Sequence, residues 1–138
     1  MSTIATARRS LNRAFSELVR AQGDPEDVRQ AAEKGWRAAR EAVYAVLKSR
    51  GITHHGGTLS AGKLGDFEAN DLGRARDDGQ PLTDGYSRAL QILHGECFYE
   101  DRVPSDVKGE LVLVGHLIDQ AEEDVKSGGR PRRRRRAA

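Results

Sequence analysis

The chain has 138 residues, 37% of them apolar and 32% charged, which is one domain's length and a charge content typical of long helices with solvated faces. No run approaches the roughly 20 apolar residues of a membrane-spanning helix, and Cys97, the single cysteine, excludes an internal disulfide. The net charge of +2 is unevenly spread: Arg130, Arg132, Arg133, Arg134, Arg135 and Arg136 crowd the last positions, leaving 17 bases against 21 acids in the rest.

Residues 2–22 are predicted to form a first helix. Ile4, Ala7, Leu11, Phe15 and Leu18 recur at three- and four-residue steps, Ser2 or Thr3 supplies a cap, and Gly23 ends the helix. Asp24-Pro25 opens a second helix, as N-cap and first helical residue, running to about residue 50. Its stripe is Val28, Ala32, Trp36 (or Gly35), Ala39, Val43, Val46 and Leu47. The small residues Ala31, Gly35, Ala38 and Ala42 allow a neighbour to come close.

Four glycines make 51–62 a loop. A weaker third helix is expected over 63–77, with Leu64, Phe67 or Glu68, and Leu72 as its apolar face. After Asp77-Asp78-Gly79-Gln80-Pro81, a fourth helix is expected from Thr83 or Asp84 to Glu100, with Tyr86, Leu90, Leu93 and Cys97 on one face. A fifth starts at Pro104-Ser105 and carries Val107, Leu111, Val114, Ile118, Ala121 and Val125 until Gly128-Gly129 stop it. No strand pattern or repeat is visible. Short links between long helices predict an all-α, up-and-down antiparallel bundle of four to five helices, with a helical domain over 1–127 and a disordered arginine-rich tail over 128–138.

Three sets of residues are candidates for chemistry. The six tail arginines suit phosphate neutralisation and make the tail a candidate nucleic-acid arm for RNA or DNA; the plainer reading is a solvated end. Arg88 and His94 form a candidate catalytic pair, because histidine can take a proton from a ribose 2′-hydroxyl and arginine can stabilise the charge that develops on phosphorus. Six helical steps set them about 120° apart, so cooperation needs a bend or a two-fold mate. Otherwise they are an exposed arginine and an interface histidine.

Metal ligands are available in His54, His55, His94, His116, Cys97, Glu96 and Glu100. No HxxxH, ExxH or CxxC pair joins them, so no metal and no cofactor is expected. The glycines of 56–65 lack a phosphate-loop pattern. Ser60 and Ser87 lack a nucleophile elbow, and Cys97 falls within an apolar stripe where an inert thiol is expected. Arg8, Arg9 and Arg13 interrupt any signal-peptide core, so the expected compartment is the cytoplasm, with no membrane partner.

Two segments, Ala31-Ala32-Glu33-Lys34-Gly35-Trp36-Arg37-Ala38-Ala39-Arg40-Glu41-Ala42-Val43 and Ala89-Leu90-Gln91-Ile92-Leu93-His94-Gly95-Glu96-Cys97-Phe98-Tyr99-Glu100, together resemble the PaREP family, a branch of the HEPN-like helical bundles. The resemblance spans roughly residues 10–125. It implies a bundle that often dimerises and that works in stress or defence systems of toxin–antitoxin type, beside a protein partner encoded nearby. The wider class also holds metal-independent endoribonucleases with an Arg-spacer-His arrangement from both protomers, which Arg88 and His94 match in spacing. Ala89 departs from the polar residue that active members usually carry after the arginine. The favoured expectation is therefore a dimeric binding or scaffolding bundle. The alternatives are an endoribonuclease using Arg88 and His94, and nucleic-acid binding through the tail.

Overall fold

α1 (Ile4–Ala21) opens on a reciprocal cap, with Thr3 Oγ1 accepting from Thr6 N and Thr6 Oγ1 accepting from Thr3 N. The computed structural model describes residues 2–96 and 106–128. α1 ends through Gln22 and Gly23, both at positive φ, a conformation open to glycine at little cost. α2 (Pro25–Ser49) follows at once, with Asp24 accepting from Asp27 N and Pro25 in the first turn. Both helices lie where the periodicity puts them.

α2 is the central element and packs on α1, α4 (Pro81–Ala89) and α5 (Val107–Gly128). Its buried residues are largely Ala and Gly, with Trp36 at 1% exposure the largest. Gly35 is the point of closest approach, since a methyl group there would lie 2.3 Å from Leu111 Cδ2 and 3.2 Å from Leu93 Cδ1. The small-residue face thus lets α4 and α5 press on the same helix.

α3 (Ala61–Asn70) is shorter than the spacing suggests. It starts earlier, because Ser60 Oγ accepts from Lys63 N. It stops earlier, because the N–H groups of Asp71 and Leu72 turn back to the Phe67 carbonyl and that of Arg74 to the Glu68 carbonyl, with Gly73 at positive φ between. A 3₁₀ turn (Arg76–Asp78) leads to α4 (Pro81–Ala89), which continues as a π-helical segment over Leu90–Gly95. That segment departs from the uninterrupted α-helix expected there. α5 (Val107–Gly128) begins on Asp106, whose Oδ1 accepts from Gly109 N at 3.0 Å, so its cap falls one residue beyond Ser105.

Side-chain pairings set the directions. Ser10 meets Glu41 and Glu17 meets Lys34, so α1 and α2 are antiparallel. Arg88 meets Glu110, while Gly85 lies against Leu117, so α4 and α5 are antiparallel as well. The result is an all-α, up-down-up-down bundle of α1, α2, α4 and α5, with α3 as an end piece. Among the described residues no helix is long and apolar enough to cross a membrane. Expectations for Cys97, the aromatic pair Phe98-Tyr99, Glu100 and the tail arginines lie outside the described residues.

Trp36 touches both Tyr86 and His94, with ring centroids 5.2 and 5.3 Å away. Trp36→Ala is expected to cost about 3–5 kcal/mol, as for a large aromatic removed from a packed core, read from chemical denaturation followed by helical circular dichroism. A loss below about 1 kcal/mol would show that the ring is not part of the core.

Candidate functional site

α4 carries Arg88 and its π-helical continuation carries His94, and a buried carboxylate sets where α4 starts. Glu68 of α3 is fully buried. Its Oε1 accepts from Thr83 N at 2.8 Å and Thr83 Oγ1 at 2.6 Å, and its Oε2 accepts from Leu82 N at 3.1 Å. These are first-turn donors that a helix cannot satisfy internally. No residue beside the turn caps them, because Gln80 directs its amide to the carbonyls of Gly65 and Arg74. The cap therefore comes from another helix, and α4 starts at Pro81 rather than at Thr83 or Asp84. Arg74 Nη1 neutralises Glu68 at 2.6 Å, while its Nη2 binds the buried Asp124 of α5.

Arg88 lies on the side of α4 that faces α5. Its Nε and Nη2 donate to both oxygens of Glu110, at 2.6–3.1 Å. The bidentate bond raises the guanidinium further above its ordinary value. Glu110 is 9% exposed in its side chain, whereas Arg88 is 56% exposed. The pair sits in an open groove of about 410 Å³ lined in part by Asp84, Gly85, Leu113, Leu117 and His116.

His94 faces a different neighbour. Its ring stacks on Trp36 at an interplanar angle of 27°, and Nδ1 lies 3.3 Å from Glu33 Oε2 on α2. Burial raises the Glu33 carboxyl above its usual range, and its hydrogen bond to His94 opposes that rise. Tyr86, which also packs against Trp36, donates its hydroxyl to the Leu59 carbonyl at 2.7 Å, and burial pushes its phenol well up.

The π-helical segment explains the divergence of the pair. Each residue of a wider turn rotates less about the axis, so the separation of Arg88 and His94 grows beyond the roughly 120° of ideal α-geometry. Within the chain, Arg88 is turned to Glu110 on α5 and His94 to Glu33 and Trp36 on α2. The two are not brought together.

The other histidines are dispersed. His54 Nε2 lies 3.3 Å from the Gly57 carbonyl and its ring is 5.8 Å from that of Tyr44, while His55 and His116 are exposed. Among the described residues, no group of three or more His, Cys, Asp or Glu side chains could hold a metal. Ser60, rejected as a nucleophile, is a helix cap. Buried Glu68, Glu110 and Asp124 were not singled out for a role, though their sequence positions carried a signal: each is an acid on or beside an apolar stripe. No family model, curated protein or solved structure matches the chain.

Two expectations follow from these carboxylates. Glu68→Ala should cost about 3–5 kcal/mol, because it strands Arg74 and the α4 donors, whereas Asp66→Ala, breaking an exposed pair with Arg76, should cost about 1 kcal/mol or less. Equal losses in denaturation would remove Glu68 from its central place.

Glu33 titrates above its ordinary 4.5 in the folded chain. Between the unfolded and folded values the native state holds more protons, so stability falls as pH rises through that window. Wild type should therefore lose stability relative to Glu33→Gln as pH rises from acid toward neutrality. The opposite trend in urea melts would contradict the burial of Glu33.

Proposed function

We propose that this chain is a HEPN-like helical bundle acting as a homodimeric binding or scaffolding protein, a partner in a stress or defence system. The observation that carries this reading is the groove between α4 and α5. Its floor is apolar, formed by Gly85, Ala89, Val114 and Leu117. Leu113 at its edge is 42% exposed, and the adjacent Val112 is 43% exposed. Large side chains left open side by side are characteristic of surfaces that become covered.

A second copy of the chain suits this surface. A two-fold interface must be self-complementary, and the groove carries both signs of charge in Asp84 and Arg88. Arg88 uses Nε and Nη2 on Glu110. Nη1 has no bond among the described residues, so it is available to Asp84 of a second copy.

The same exposure of Arg88 favours one other reading, in which Arg88 and His94 of two protomers form a ribonuclease site across the interface. It requires His94 to act from its stacked position on Trp36. Incubation of an RNA pool without metal, comparing wild type with His94→Ala, separates the two. Cleavage that disappears in the variant would replace the scaffolding reading with the catalytic one.

The dimer is tested by Leu113→Glu. Sedimentation should show a dimeric wild type and a monomeric variant of unchanged helicity. A wild type that sediments as a monomer, or a variant that remains dimeric, would sink the proposal.

A further inference from the structure

Charge is segregated among the helices. α1 holds Arg8, Arg9, Arg13 and Arg20 against one acid, Glu17. α5 holds Glu110, Asp119, Glu122, Glu123 and Asp124 against Lys108 and Lys126. Arg8 joins the two helices through bonds to Asp119 and Glu122. The other three α1 arginines are exposed and have no ion pair among the described residues.

Those three share one face. At about 100° per residue, Arg13 and Arg20 fall within about 40° of Arg9, with Ser16 in the same strip, and the row spans about 16 Å at 1.5 Å per residue. Beside it, Asn12, Arg13, Ser16, Glu17, Arg20 and Lys34 line a shallow depression of about 370 Å³ between α1 and α2. Two carboxylates beside the row are held by other groups, Glu17 Oε1 accepting from Lys34 at 2.5 Å and Glu41 Oε1 from Ser10 at 2.8 Å, while Asp27 lies near the Arg20 end.

We propose that the Arg9–Arg13–Arg20 face of α1 is a binding site for the phosphate backbone of a nucleic-acid duplex. Guanidinium groups bind phosphate through paired N–H donors and keep their charge at any physiological pH. A rigid row of them on a straight helix follows a regularly charged backbone. Asn12 and Ser16 add neutral donors beside the cations. A double-helical backbone presents phosphates at regular intervals along such a row and is bound with little regard to sequence. The site uses helices other than those of the α4–α5 groove, so it stands whether or not the dimer does.

The test uses the full-length chain with Arg130→Ser, Arg132→Ser, Arg133→Ser, Arg134→Ser, Arg135→Ser and Arg136→Ser, so that the tail cannot supply the binding. Fluorescence anisotropy with a short labelled RNA duplex should show binding that weakens with salt. Adding Arg9→Gln, Arg13→Gln and Arg20→Gln should lower affinity about tenfold or more and flatten the log–log salt slope by about 2 to 3. Lys108→Gln on α5 should change neither, and circular dichroism should show all variants equally helical. A DNA duplex bound comparably supports backbone recognition. No binding by the tail-substituted chain, an unchanged affinity in the triple variant, or tighter binding to single-stranded RNA would overturn the proposal.

Discussion

Glu68 is the carboxylate on which the arrangement of the second half of the chain depends. An ionised side chain with no exposure is tolerated only when its charge is neutralised and its lone pairs are filled. Here Arg74 neutralises it, and the Thr83 hydroxyl with two backbone N–H groups fills the rest. Negative charge at a helix N-terminus also opposes the helix dipole favourably. The same arginine reaches Asp124, so α3, α4 and α5 meet in one polar network inside an otherwise apolar assembly. Such a network has few alternative arrangements, because shifting any member strands a buried charge.

That constraint carries through to the candidate site. With the start of α4 pinned by Glu68, the faces of Arg88 and Tyr86 follow from helical geometry, and the π-helical segment then re-aims Leu93 and His94. The small-residue face of α2 completes the arrangement, since Gly35 brings Leu93 and Leu111 into the space beside Trp36. The stacked position of His94 is thus the product of a cap some ten residues away, a change of helical pitch and the absence of one methyl group. Arg88 remains in the α4–α5 groove, where apolar surface and both signs of charge are exposed together.

The distribution of charge has a similar logic. The net excess of acids before the tail conceals opposite surfaces, one on α1 and one on α5, joined by Arg8. Averaging over the chain makes the body look unsuited to polyanions. Folding instead gathers three guanidinium groups on one face of α1. Composition bears on solubility and overall attraction, but local recognition depends on which charges remain unpaired at the surface.

The sequence by itself determined the helical class and the approximate limits of α1 and α2, because amphipathic periodicity and Asp-Pro or Thr capping act within a few residues of one another. It also showed that Arg88 and His94 could not share a strict helical face. The start of α4 and the π-helical segment were decided by the tertiary structure, whereas α3 ends early on local backbone bonds around Gly73. Glu68 appeared only as an ambiguous member of a thin apolar face, since its partners lie 14 and 15 residues away on another helix. The separation of Arg88 from His94 into different environments has the same origin, because Glu110 and Glu33 are on α5 and α2. Local spacing states which side chains a helix presents, while the identity of the carboxylate each one meets depends on how helices distant in the chain are packed.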